Sequence, residues 1–184
     1  MSRANLLILP GLLENEGGFA EVIQGLERHG IACTVADMTG ADSIAGLAAN
    51  ALAQAPSERF LLAGHSMGGY VALEIMRRAP QRVSRLALLN THARPDSPES
   101  IENRRRLMAL AERDFDAVTE ALMPKLLLPA HLGDARLRAL LVSMARAIGI
   151  EAFKRQQAAI MGRIDSRPHL KDIRVPTLVI AARR

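Results

Sequence analysis

The side chain in this sequence best placed for chemistry is the hydroxyl of Ser66. It stands in the pentapeptide Gly64-His65-Ser66-Met67-Gly68, between the apolar run 60–63 and a helical stretch over 69–78. A serine with glycines two residues to either side, at a strand-to-helix turn, is typical of a nucleophile elbow, because so sharp a turn leaves no space for side chains beside the serine. The pattern therefore predicts that Ser66 acts as a nucleophile.

One other interpretation of this segment is possible. Ser66 could be an ordinary helix N-cap, with Gly64 and Gly68 serving only close packing. A phosphate-binding loop is excluded more firmly, since the segment lacks the lysine and hydroxyl pair of a P-loop and the three-glycine spacing of a dinucleotide fingerprint. The apolar run before Ser66 and the amphipathic stretch after it favour the nucleophile.

Strand and helix patterns alternate along the first half of the chain, which predicts an α/β fold with a mostly parallel sheet and helices on both faces. The predicted strands cover 5–9, 31–36, 60–63, 86–90 and 177–181. The predicted helices between them cover 18–29, 44–54 and 69–78. A chain of 184 residues supplies one large hydrophobic core, so we expect a single domain over 1–184.

The segment 91–170 has a helical pattern without strand signals, and we expect it to form an insertion before the last strand, with 1–90 and 171–184 as the core. Ser97-Pro98-Glu99 begins its first helix, and further helices are predicted at 116–127, 134–147 and 150–163. Its apolar faces contain Leu107, Met108, Leu122, Met123, Leu126, Met144 and Met161. Packing against the core accounts for any one of these apolar side chains. Together they predict a pocket large enough for an acyl group.

These features together resemble the α/β-hydrolase family, in particular serine esterases of the pimeloyl methyl-ester carboxylesterase type, over nearly the whole chain. The loop Pro10-Gly11-Leu12-Leu13 after the first strand is similar to the family's oxyanion loop, although Pro10 stands where histidine is commoner. The resemblance implies that the backbone N–H groups of Leu12 and Met67 bind an oxyanion. It also implies a helical cap over 91–170, a small-molecule ester or acyl substrate, carboxylic ester hydrolysis, and no cofactor.

The resemblance further implies an acid after the last strand and a later histidine, following the order serine, acid, histidine. Because the run Ala181-Ala182-Arg183-Arg184 contains neither, we expect an incomplete α/β-hydrolase fold, truncated at its C-terminus. The alternative function is a catalytically incompetent homologue that acts as a binding or partner-dependent module. His92 and Asp96 are candidates for a surrogate base and acid, although a solvated histidine at the rim is the simpler interpretation. We interpret His65 as structural.

Composition excludes several other classes of function. The net charge is +5, but arginines form only one tight cluster, Arg104-Arg105-Arg106, and aromatic residues make up 3% of the chain, so we expect no nucleic-acid partner and a solvated helix face at this cluster. Cys33 is the single cysteine and is predicted to be a buried core residue, and no residues have metal-ligand spacing.

The hydropathy pattern predicts neither a signal peptide nor a membrane span. Pro10-Gly11 interrupts the N-terminal apolar run, and no later stretch has the length of a span. We therefore expect a cytoplasmic location and no membrane partner. A truncated sheet would leave its last strand as an apolar edge, which predicts a possible homo-oligomer.

Overall fold

A computed structural model describes residues 4–182, which form one sheet surrounded by helices. The strands are β1 (Ala4–Leu9), β2 (Ile31–Val35), β3 (Phe60–His65), β4 (Val83–Leu89) and β5 (Thr177–Ile180). The helices are α1 (Ala20–Arg28), α2 (Ile44–Ala53), α3 (Met67–Arg78), α4 (Pro98–Ala111), α5 (Phe115–Leu126) and α6 (Ala135–Met161). The strand order is β2-β1-β3-β4-β5 and every neighbouring pair is parallel, which confirms the predicted α/β fold class.

The alternation of side chains along β1 explains why helices cover both faces of the sheet. Leu7 and Leu9 are fully buried in the cluster that contains the apolar residues of α2 and α3. Leu6 and Ile8 belong to a second cluster with Phe19, against which α1 also packs. Successive strand residues point to opposite faces, so a strand buried on both sides is apolar at every position.

The ends of β3 and β4 differ from the sequence-based prediction. β3 continues to His65, and β4 begins at Val83, three residues before the predicted start. Ser84 and Arg85 interrupt the apolar pattern there, yet the strand forms because backbone pairing with β3 continues past them. At the sheet edge, Leu178, Val179 and Ile180 of β5 are each at least half exposed. The possible homo-oligomer through this edge remains a prediction.

The helices α4, α5 and α6, which we call the helical insertion (Pro98–Met161), share an apolar cluster with the loop after β1. Val118 and Phe153 are fully buried in it, and Leu13 from the loop is part of the same cluster. The insertion therefore packs onto the loop that follows β1. The two helices predicted at 134–147 and 150–163 are both present, because α6 is interrupted at Gly149, whose φ of 77° and ψ of 165° are not helical.

The sheet topology brings the loop after β1 and the segment after β3 to the same place. From β1 the chain crosses to β2 on one side, whereas from β3 it crosses to β4 on the other. Ligands of parallel α/β sheets bind outside the carboxyl ends of the strands at such a switch point. Leu9 at the end of β1 lies opposite Gly64 near the end of β3, so the loop after β1 and Ser66 are neighbours.

Candidate active site

The backbone of Ser66 has an unusual conformation, with φ of 51° and ψ of −113°. Its side chain makes no capping hydrogen bond, although α3 begins at the next residue, so the interpretation as an ordinary N-cap is wrong. The Ser66 N–H donates to the Leu89 carbonyl at 3.0 Å, and the Thr91 hydroxyl donates to the Ser66 carbonyl at 2.8 Å. These bonds hold a strained residue at the site where the sequence predicts a nucleophile.

The glycines of the elbow are required by close approach of backbone segments. A Cβ atom at Gly64 would overlap the backbone of Gly68, and one at Gly68 would overlap the carbonyl of Leu9. Gly69, which the sequence analysis left out, has the same constraint, since a Cβ there would overlap the side chain of Thr91. The glycines thus allow α3 to pack tightly against the ends of β1 and β3.

Among residues 10–14, which follow β1, one backbone N–H group has no acceptor in the described part of the chain. The Gly11 N–H donates to Glu14 Oε2 at 2.7 Å, and the Leu13 N–H donates to Gln156 Oε1 at 3.1 Å. The Glu14 N–H donates to the Gly11 carbonyl at 3.3 Å, and Pro10 has no N–H. Within residues 4–182 the Leu12 N–H has no acceptor, so among residues 10–14 Leu12 is the one with a free backbone donor.

The second predicted donor, the N–H of Met67, is also without an acceptor among the described residues. Met67 is the first residue of α3, and the first N–H groups of a helix have no partner inside it. These groups also carry the positive end of the helix dipole, which favours a negative charge. Gly11 lies against Ser66, because a Cβ built there would be 3.2 Å from Ser66 Cβ.

Glu14 is part of this arrangement and was missed by the sequence analysis. Its Oε2 atom lies 2.7 Å from His65 Nδ1 while also accepting the Gly11 N–H. The hydrogen bond to Glu14 raises the pKa of His65 above its ordinary value, despite partial burial of the ring. The sequence signal for this role was a carboxylate three residues after Gly11, directly after the apolar pair Leu12-Leu13.

Gln156 was missed as well. Its side chain is fully buried, and it lies on α6, far from the loop in sequence. Oε1 accepts the Leu13 N–H, and Nε2 donates to the Met38 carbonyl at 3.1 Å. Leu13 has a positive φ of 59°, which is unfavourable for a leucine and has to be held by surrounding contacts. Neither the spacing nor the composition of 150–163 indicated this contact.

The two candidate surrogate residues, His92 and Asp96, are not hydrogen-bonded to each other within residues 4–182. His92 Nδ1 accepts the Arg94 N–H at 3.3 Å, so neutral His92 carries its proton on Nε2, which lies 3.3 Å from the Tyr70 hydroxyl. Burial and the nearby Arg163 lower the pKa of His92. Within residues 4–182, no side chain makes a hydrogen bond to the Ser66 hydroxyl.

Asp96 is held by two arginines instead. Its Oδ2 accepts from Arg104 Nε at 2.6 Å, and its Oδ1 lies 2.7 Å from Arg163 Nη2. Burial acts to raise the pKa of Asp96, but the Arg104 hydrogen bond and the adjacent Arg163 charge outweigh it and lower the pKa. The predicted solvated face is therefore correct for Arg105 and Arg106 but wrong for Arg104, which is half-buried and also donates to Gln157.

Two cavities in the described structure have no elbow residue in their lining. One, of about 160 Å³, lies between α3 and the end of α6 and is lined in part by Tyr70, His92 and Arg163. The other, of about 210 Å³, lies between α3 and the segment 166–173. None of the apolar residues expected to line an acyl pocket lines either cavity, and Met123 and Met144 are buried in the protein. The acyl pocket remains a prediction.

Three remaining features bear on other expectations. Cys33, predicted to be buried, is only half-buried, at the margin of the α1 face of the sheet. No group of three metal-ligating side chains lies together in the described part of the chain. Over the same residues, no helix combines the length and the apolar character needed to cross a membrane.

Comparison with known families agrees with this geometry. Residues 4–129 match the family model described as alpha/beta hydrolase fold. The chain belongs to the α/β-hydrolase family. The match includes the loop after β1, the elbow, and α4 and α5 of the helical insertion. No curated protein matches the sequence at a significant level.

Solved structures similar to this α/β hydrolase include three enzymes. A thermophilic esterase from Thermogutta terrifontis has a TM-score of 0.81 at 24% identity, over 98% of this chain and 71% of its own. An enol-lactonase from Burkholderia xenovorans LB400 has a TM-score of 0.82 at 23% identity, over 98% and 73%. A carboxylesterase structure from Nitrososphaera gargenis has a TM-score of 0.85 at 17% identity, over 97% and 72%. At these identities the likeness establishes the shared fold.

Proposed function

We propose that this protein is a serine hydrolase that cleaves carboxylic esters, with Ser66 as the nucleophile. One observation carries the proposal: the strained elbow places Ser66 against residues 10–14, among which, in the described structure, only Leu12 has a free N–H. The free N–H of Met67 supplies a second donor. An esterase, a carboxylesterase and a lactonase among the similar structures support ester chemistry.

In the proposed reaction, Ser66 Oγ forms a bond to the ester carbonyl carbon, and the carbonyl oxygen becomes an oxyanion that accepts hydrogen bonds from the Leu12 and Met67 N–H groups. Collapse of this intermediate breaks the bond to the alcohol oxygen and leaves an acyl group on Ser66. Water then attacks the acyl carbon and gives a proton to the base, the bond to Ser66 Oγ breaks, and the base returns that proton to Ser66 Oγ as the acid leaves. A base takes the proton of the Ser66 hydroxyl and returns it to the departing alcohol oxygen.

A second function is a binding or partner-dependent module without turnover. It is favoured by the observation that no base among residues 4–182 is hydrogen-bonded to Ser66. Loss of the base of a catalytic triad costs about 10⁴ to 10⁶ in turnover. The hydrolase and the binding module therefore differ by a large and measurable factor in the reactivity of the Ser66 hydroxyl.

Labelling with a fluorophosphonate probe separates them, because such probes react with activated serines whatever the substrate. Ser66→Ala removes the proposed nucleophile, and Ser43→Ala is a matched control, since Ser43 is an ordinary N-cap that accepts from the Gly46 N–H. Rapid labelling that is lost only in Ser66→Ala supports the hydrolase. Absence of labelling in the folded protein contradicts it and favours the binding module.

A further inference from the structure

We propose that Gln156 is a positioning residue, which fixes the oxyanion loop from the helical insertion and so couples the insertion to the proposed catalytic site. The inference rests on the proposed function, because it concerns the loop that supplies the Leu12 donor. Gln156 does not contact Ser66. It acts through the backbone of Leu13, the residue next to the donor.

The contacts of Gln156 use both ends of its amide. Oε1 accepts the Leu13 N–H at 3.1 Å, and Nε2 donates to the Met38 carbonyl at 3.1 Å. Both bonds are buried, and the side chain has no exposed surface. A buried amide is stabilised only when its polar atoms have partners, so these two bonds fix its orientation. Gln156 therefore connects the loop after β1 with the loop after β2.

The effect on the loop follows from which N–H groups are occupied. Glu14 binds the Gly11 N–H and Gln156 binds the Leu13 N–H, so the amides on both sides of Leu12 are held by side chains. The positive φ of Leu13 is strained, and its buried hydrogen bond to Gln156 offsets that strain. Without the bond, the loop is expected to relax and the Leu12 N–H to lose its orientation.

The position of Gln156 in the fold gives the coupling. It lies in the second half of α6, and Phe153 on the same helix is fully buried in the apolar cluster that includes Leu13. The helical insertion thus contacts the oxyanion loop by apolar packing and by this amide. A shift of α6 relative to the sheet would break the Leu13 bond, so we infer that the proposed oxyanion hole is formed only when the insertion is seated.

The test compares Gln156→Met with Gln157→Met. Gln157 is a matched control, since it is equally buried on the same helix but its Oε1 accepts from Arg104 rather than from the loop. The readouts are kcat and KM for para-nitrophenyl acetate and the amide exchange rate of Leu13. In Gln156→Met we expect kcat to fall about ten- to a hundredfold with KM little changed, and Leu13 exchange to become about tenfold faster.

In Gln157→Met we expect both kcat and the Leu13 exchange rate to stay unchanged. Unchanged Leu13 exchange in Gln156→Met overturns the inference, and so does unchanged kcat, or an equal fall of kcat in Gln157→Met. If Gln156→Met does not fold, Gln156→Glu replaces it, because a glutamate still accepts the Leu13 N–H and should retain most of the exchange protection. Equal hydrolysis by the wild-type protein and Ser66→Ala refutes the proposed function. The Leu13 exchange rate still tests whether Gln156 holds the Leu13 N–H, because it does not depend on activity.

Discussion

The carboxylate of Glu14 and the imidazole of His65 are joined by a hydrogen bond of 2.7 Å between Oε2 and Nδ1. The two residues are 51 positions apart and belong to different segments, the loop after β1 and the last residue of β3. The same oxygen accepts the Gly11 N–H. One carboxylate oxygen therefore connects the loop after β1 to the strand that leads into the elbow at Ser66.

Replacing Glu14 by alanine is expected to lower kcat for ester hydrolysis about tenfold, because the loop loses its link to β3 and the Leu12 donor is held less firmly. Glu14→Gln keeps an acceptor for one N–H, so its kcat should fall less than that of Glu14→Ala. Steady-state kinetics measure the effect, with Glu16→Ala as the control, since Glu16 is exposed and two residues further on. A fall of the same size in Glu16→Ala would contradict this role of Glu14.

The same pair predicts a pH dependence of stability. Because the pKa of folded His65 is raised above 6.5, protonated His65 stabilises the folded protein. This contribution is fully present below about pH 6.5 and is lost as the pH rises through the raised pKa. Urea unfolding between pH 5 and 8 should therefore show a smaller loss of stability with rising pH in His65→Gln than in the wild type. Parallel pH profiles would show that the pair contributes nothing.

Gly68→Ala is expected to destabilise the protein by about 3 kcal/mol or more, because the new Cβ overlaps the backbone carbonyl of Leu9, which cannot move without disturbing the sheet. Gly25→Ala is the matched control. Gly25 lies inside α1 with nothing within 4 Å of a built Cβ, so alanine there should stabilise the helix by about 0.5–1 kcal/mol. Thermal unfolding of the two variants checks the contrast, and similar melting temperatures would refute it.

Asp96→Asn is expected to destabilise the protein by about 3 kcal/mol, because it leaves the buried Arg163 and the half-buried Arg104 without their counter-charge. Asp116→Asn breaks a comparable pair with Arg146 on the surface and should change stability little. Denaturant unfolding at neutral pH measures the free energy of unfolding of the two variants and of the wild type. Since the pKa of Asp96 is lowered, its stabilisation should be present above about pH 3.8 and lost as the pH falls through the lowered pKa.

The sequence by itself determined the fold class and the place of the elbow. The period of apolar residues predicts each strand and helix, because a strand buried on both faces must be apolar throughout and a helix must bury one face. The glycines around Ser66 predict the elbow, because close approach of two backbones excludes every side chain. Such constraints are visible in residues that are close in sequence, so they can be predicted without the structure.

Only the tertiary structure decided which groups support that site. Glu14 meets His65, and Gln156 meets Leu13 from 143 positions away, because strand order and the seating of α6 bring them together. The same geometry directs Asp96 to Arg104 and Arg163 rather than to His92. A polar side chain can bond to any group within reach, and what lies within reach is set by packing between distant segments.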